Sequence, residues 1–276
     1  MLSDKKVLVT GAAGHVGQWT RKCLQSKVGL LRLSDIAPLK DAAENEEIRP
    51  CDLTDAQDLE RLVTGIDYVV HLGASLNVDD WPETLRVNIE GTYNLYEAAR
   101  RAGVKRIAYA SSHHVIGMYP VGQTLGLDAP MRPDSLYGLS KCFGENLARY
   151  YWDKFGLESV CWRIGTARPR PGEIRELSTW LSEQDYERLL LRSLQTPAIG
   201  FLPVYGISAN RDAWWDNGQA RALEFEPQDD ATRHAQPILD APADSSAQRR
   251  YPLQGGKRAE HRRAAEPPTG GDGGRG

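Results

Sequence analysis

The sequence predicts an α/β fold with a doubly wound parallel sheet, and three observations carry that expectation. Short apolar runs alternate with helical stretches six times between Lys6 and Ile164, a pattern that needs crossover connections and helices on both faces of a sheet. The first run opens at once into Gly11-Ala12-Ala13-Gly14-His15-Val16-Gly17 and then a helix, the order of a dinucleotide-binding turn. Later, Tyr137 and Lys141 stand four residues apart on one helix, after a run that ends in Ser111-Ser112.

Residues 6–10 read as a buried strand, and a helix follows the glycines to about residue 26. The glycines at 11, 14 and 17 permit a tight turn and let the backbone approach a pyrophosphate, which the start of the helix faces. Residues 30–34 form the second strand. Asp35 ends it about twenty residues past the glycines, where a Rossmann fold holds the adenosine ribose; its charge repels a 2′-phosphate and so favours NAD over NADP. Residues 48–51 are a short third strand, and Asp55 with Asp58 makes a capping start to the next helix. Residues 67–72 form a strand that runs into Gly73-Ala74-Ser75, small enough for backbone to lie against a cofactor.

A long helix over 83–102 follows, with Leu85, Ile89, Tyr93, Tyr96 and Ala99 on its packed stripe, Asn88 off that stripe, and Gly103 as the stop. Residues 105–110 are a strand with Ser111 to His114 at its end. The helix of Tyr137 and Lys141 runs over 135–155, and 158–164 is a further strand. Beyond Gly165 the pattern loosens. A loop at 169–172 leads to a helix over 179–195, an edge strand at 202–206 and a short helix after Trp214-Trp215-Asp216. The chain thus divides into a nucleotide-binding unit at 1–165, a small substrate-binding region at 166–256 packed on it, and a disordered tail at 257–276, rich in glycine and charge.

The composition is that of an ordinary globular protein: 276 residues, 41% hydrophobic, 26% charged, net charge −3. That balance predicts no affinity for nucleic acid or anionic membranes, and no apolar run approaches the ~20 residues of a membrane span. The start, Met1 to Lys6, lacks the apolar core of a secretory signal. Cys23, Cys51, Cys142 and Cys161 are too scattered for a redox or metal site, and no third ligand joins His113 and His114. A cytoplasmic protein with reduced thiols and no metal is expected.

The chemistry gathers at strand ends. In a parallel sheet the carboxyl ends share one edge, so the glycine turn, Ser75, Ser112 and the Tyr137 helix meet at one crevice. Tyr137 is placed to exchange a proton, Lys141 to lower the phenol pKa and bind the nicotinamide ribose, and Ser112 to hold the substrate oxygen.

The glycine turn, Ser111-Ser112 before Val115-Ile116-Gly117, and the Tyr137/Lys141 pair resemble the extended short-chain dehydrogenase/reductase and sugar-epimerase superfamily. The likeness narrows with His71-Leu72-Gly73-Ala74, the run from Leu136 to Arg149, Arg163-Ile164-Gly165, Leu177-Ser178-Thr179-Trp180, Ser208-Ala209-Asn210 and Trp214 to Asn217: these are similar to the uronate dehydrogenases, over about residues 4–256. That resemblance implies NAD-linked oxidation of D-galacturonate or D-glucuronate at C1 to an aldaro-lactone, a step of hexuronate catabolism, in a homo-oligomer that takes a small sugar acid as its partner. It implies Tyr137 as general base with Lys141 and Ser112; NAD contacts at Gly11, Ala13, Gly14, His15, Val16, Gly17, Asp35, Asp52, Leu53, Leu72, Gly73, Ala74, Ser75, Asn88, Tyr137, Lys141 and Ile164; and substrate contacts at Ser75, Ser112, His113, His114, Tyr137 and Thr166, with Arg175 gripping the uronate carboxylate. His113 stands where the family usually has Asn, and Leu76 where its serine falls. The stretch after Gly256 departs from the family's ending and is expected to have no catalytic purpose. The alternatives are a nucleotide-sugar epimerase or dehydratase of the same superfamily, which would need a larger C-terminal region, and a non-catalytic NAD-binding protein.

Overall fold

The computed structural model describes residues 2–77 and 80–260. Strand β1 (Lys6–Thr10), helix α1 (His15–Leu24), β2 (Leu30–Ser34), β3 (Glu46–Ile48), α2 (Ala56–Leu62) and β4 (Tyr68–His71) build the first half. A composite helix follows: α3 (Trp81–Glu83), a π-helical stretch Thr84–Glu90, and α4 (Gly91–Arg101). Then come β5 (Arg106–Ser112), α5 (Leu136–Phe155) and β6 (Glu158–Ile164). The C-terminal part holds β7 (Thr166–Ala167), α6 (Glu176–Thr179), β8 (Trp180–Leu181), α7 (Glu183–Gln195), β9 (Phe201–Gly206), α8 (Ala235–Leu239) and α9 (Lys257–Glu260).

Seven strands form one parallel sheet in the order β3-β2-β1-β4-β5-β6-β9. The chain starts in the middle, winds outward through β2 and β3, then returns to add β4 on the other side of β1. The crevice between the carboxyl ends of β1 and β4 is therefore the topological switch point, where such sheets bind ligands. Alternation along β1 divides the core: Val7 and Val9 face the layer that holds Trp19 and Tyr186, while Leu8 faces Leu59, Leu95 and Tyr96. The expected edge strand is β9, and Pro203 within it needs no hydrogen-bond partner on its open side. All four cysteines are buried and free. Among the described residues no helix is long and apolar enough to cross a membrane.

Two elements differ from expectation. The helix over 83–102 was expected to bury Leu85 and Tyr93, yet both are exposed and the buried face carries Thr84, Asn88, Thr92, Leu95, Tyr96 and Ala99. The π-helical stretch widens the turn and shifts the phase of every side chain in it, so a 3.6-residue count assigns the wrong face and leaves Asn88 on the outside. The stretch 257–276 was expected to be disordered; its first residues form α9 and close onto the crevice. The remainder, 261–276, lies outside the described residues.

Residues 254–256 explain how α9 gets there. The Gln254 side chain, fully buried, donates to the carbonyls of Pro120 (3.1 Å) and Gln123 (2.8 Å) and accepts from Trp215 Nε1 (2.7 Å). A Cβ at Gly255 would fall on the Asp134 carboxylate, and Gly256 turns at φ 62° against the Arg175 side chain. Only two glycines pass through that gap without strain.

Candidate active site

The crevice encloses about 540 Å³. Its dinucleotide half is built from backbone. Gly11 has φ 71°, and a Cβ there would lie 2.6 Å from the Gly73 nitrogen, so the turn after β1 touches the end of β4 main chain to main chain. Gly14 is the N-cap of α1 and supplies no side-chain acceptor, which leaves first-turn N–H groups available along the wall of Gly14, His15, Val16 and Gly17. Asp35 lines the crevice and accepts from Ala13 N and Ala37 N, both at 2.9 Å. Asp52, Leu53, Leu72, Gly73, Ala74, Ser75 and Ile164 complete the wall. A main chain without Cβ groups, an uncapped helix start and a carboxylate at the ribose position together fit a dinucleotide.

The reactive half centres on Tyr137. Ser135 caps α5 by accepting from Gly138 N (3.1 Å), and Tyr137 falls in the first turn, at the crevice. The Lys141 ammonium lies one turn on, 5.4 Å from the Tyr137 ring centroid and 4.9 Å from that of Tyr109. Lys141 is buried and its pKa falls to about 7, from desolvation. Burial also dominates at Tyr137 and raises the phenol; Arg258 opposes it first, then the hydrogen bond from Ser112. The sequence argument assigned that lowering to Lys141. The cation that supplies it is Arg258, whose guanidinium lies 4.7 Å over the Tyr137 ring.

Ser112 ends β5, and its hydroxyl accepts from His114 N (3.2 Å). The two histidines after it are held in defined states. His113 Nδ1 lies 2.9 Å from the Ile164 carbonyl and Nε2 lies 2.7 Å from Arg175 Nη2. A carbonyl only accepts and a guanidinium only donates, so the ring is the neutral Nδ1–H tautomer. His114 Nδ1 lies 2.6 Å from Asp134 Oδ2, and the ring meets Tyr137 edge-on at 5.9 Å. Desolvation, then neighbouring positive groups, pushes both rings well below the usual histidine range.

Four expected site residues do not line the crevice. Ala13 supports Asp35 from behind. Asn88 accepts from Ser75 N (2.7 Å) and donates to the Ser75 carbonyl (2.9 Å), so it fixes the loop that carries Ser75. Thr166 pairs with Thr179 (3.0 Å). Arg175 points to the Gln254 carbonyl (2.8 Å) and His113, and lines a separate cavity with Trp214 and Tyr251. Arg86, Leu76 and Arg258 line the crevice without having been singled out; for Arg258 the sequence offered no signal, because its segment has the composition of a solvated tail.

The sequence pattern of the NAD dependent epimerase/dehydratase family matches residues 7–168. The uronate dehydrogenase of Pseudomonas syringae pv. tomato is 47% identical over 225 residues, 81% of this chain and 82% of that protein. The uronate dehydrogenase of Agrobacterium fabrum is 46% identical over 255 residues, 91% of this chain and 96% of its own. The crystal structure of uronate dehydrogenase from Agrobacterium tumefaciens superposes with a TM-score of 0.89 at 44% identity, covering 94% of this chain and 98% of that one. A mutant of that enzyme complexed with NAD gives a TM-score of 0.88 at 44% identity over the same shares.

Proposed function

The chain belongs to the NAD dependent epimerase/dehydratase family and, within it, to the uronate dehydrogenases; from that membership and the crevice geometry we infer that Tyr137 is the base of an NAD-dependent oxidation of a hexuronic acid at C1. The product is the aldaro-lactone. The C1 hydride leaves for the cofactor, the C1 hydroxyl proton leaves for Tyr137, and the C–O bond becomes a carbonyl. Bound NAD supplies the hydride acceptor, a cationic nicotinamide ring.

Everything else is the work of this chain's residues. Ser112 and Tyr137 present two hydroxyls to one substrate oxygen, which orients it and fixes the path of the proton. Lys141, with a pKa of about 7, can hold or release a proton near neutrality and so can pass on the one that Tyr137 takes up. His113 and His114 are neutral and buried, and serve as hydrogen-bonding groups for sugar hydroxyls. The observation that carries the reading is the convergence of Tyr137, Lys141 and Ser112 on the crevice that also holds the glycine turn and Asp35. A homo-oligomer is part of the reading, supported by Tyr93 on α4 and Leu139, Tyr150 and Phe155 on α5, all large, apolar or aromatic and exposed.

The test is NADH formation with galacturonate, glucuronate, their neutral parent sugars and a nucleotide sugar. Turnover of the two uronates well above the rest is expected. Neutral sugars used as well as uronates would overturn the acid-substrate reading.

A further inference from the structure

We propose that Arg258, from the C-terminal segment, is the cation that binds the substrate carboxylate. The inference rests on the uronate reading and adds a residue of this chain's own to it.

Three observations place the guanidinium where an anion is needed. It lies 4.7 Å over the Tyr137 ring and lines the crevice with Ser112, His114 and Lys141. Its Nη1 is buried and has no hydrogen-bond partner among the described residues. Among those residues it has no acidic partner within salt-bridge distance either; Asp134, the carboxylate that its charge reaches, is bonded to His114 at 2.6 Å. An N–H left unpaired in a buried site costs free energy until an acceptor arrives. A carboxylate is the acceptor that matches both the fork and the charge of a guanidinium.

The segment is held for the task. Gln254 anchors it by three side-chain hydrogen bonds, Gly255 N donates to the Gly117 carbonyl (2.8 Å), and Glu260 closes the far side on Arg249 (3.0 Å). Arg175, by contrast, spends its donors on the Gln254 carbonyl and His113. It positions the segment and the histidine, and Arg258 reaches the site.

The experiment is steady-state NADH formation with galacturonate by the full chain carrying R258M, R258Q or R258K, together with inhibition by the corresponding aldaric acid and direct binding of NADH. Loss of a charge-assisted contact predicts a rise of about 10–100-fold in the uronate KM and the inhibitor Ki for R258M and R258Q. The KM for NAD should stay within about twofold, and R258K should fall between wild type and R258M. Retained NADH binding shows that a variant is folded, and R258Q decides if R258M is not. A folded variant whose uronate KM and Ki both stay within about twofold of wild type overturns the inference, as does a variant that changes only kcat and its pH profile. Wild type that forms no NADH from any uronate overturns the functional reading itself, a result separable from the first.

Discussion

Cofactor choice is the property of this site most directly set by one side chain. Asp35 ends β2 in the crevice, and its two oxygens accept from Ala13 N and Ala37 N at 2.9 Å each. A 2′-phosphate at that ribose would bring about −1.5 to −2 charges close to the carboxylate. At about 5 Å and an effective dielectric of ~40, suited to a half-exposed group, each charge pair costs about 1.7 kcal/mol. The total is about 2.5–3.3 kcal/mol, or roughly 70- to 250-fold against NADP. D35N removes the charge and keeps one acceptor. The lost acceptor loosens one backbone contact, at about 1 kcal/mol, but it burdens both cofactors equally and cancels in their ratio. The quantity to measure is kcat/KM for NAD divided by that for NADP, from initial rates of reduced-cofactor formation in low salt. D35N should lower this ratio by roughly 30- to 250-fold, and added salt should narrow the wild-type ratio. A ratio that moves less than about threefold would refute the argument and place the ribose elsewhere.

Three further outcomes follow from the geometry. Y137F should lower kcat by about 10²–10⁴-fold with NADH affinity unchanged, read by single-turnover kinetics beside a binding titration; a loss of only a few fold would take the proton from Tyr137. E145A should destabilise the fold by about 3–5 kcal/mol in urea unfolding, because Glu145 pairs with buried Arg163 at 2.9 Å and accepts from Ser111 at 2.5 Å, and its removal leaves a buried charge alone. His71 is held neutral by burial, with its pKa lowered to about 3. The unfolded chain takes up that proton from about pH 6.5 downward while the native state does not, so stability falls as pH drops from about 6.5 towards 3. The loss from this group is about 2 kcal/mol by pH 5, and thermal unfolding across that range should lose most of this slope in a folded H71Q variant.

The legible parts of the molecule are those in which one local rule decides the outcome. Apolar runs bounded by turn residues located the six strands up to Ile164 to within a few residues, and alternation with helices gave the parallel sheet. The glycine turn, Asp35, Ser112, Tyr137 and Lys141 were legible because each belongs to a backbone feature with a fixed place in that topology. What escaped depends on tertiary context. A 3.6-residue count cannot foresee a π-helical stretch, so Asn88 was set on the wrong face. Arg175 was assigned a carboxylate from resemblance, whereas its donors meet the Gln254 carbonyl, a partner 79 positions away. Arg258 lies in a stretch of charge and glycine, and composition cannot say that Gln254 anchors such a stretch inside the fold.

The electrostatics of the crevice resolve why a chain with net charge −3 should select an acid. Net charge governs long-range encounter and solubility, while selection inside a buried site is decided within a few ångströms. Asp35 and Asp52 mark the adenosine end, and Lys141 and Arg258 flank Tyr137 at the reactive end. The histidines add no positive charge there, since burial keeps His113 and His114 neutral, and the Asp134 carboxylate is engaged by His114. At an effective dielectric of ~20, one charge pair 5 Å apart is worth about 3 kcal/mol, enough to prefer a uronate over its neutral parent sugar by about two orders of magnitude. Lys141 cannot supply that preference steadily, because its pKa of about 7 leaves it half charged at neutrality. A guanidinium stays charged throughout. Discrimination against neutral sugars should therefore hold as pH rises from 6 to 8, and a preference that collapses over that range would transfer the carboxylate from Arg258 to Lys141.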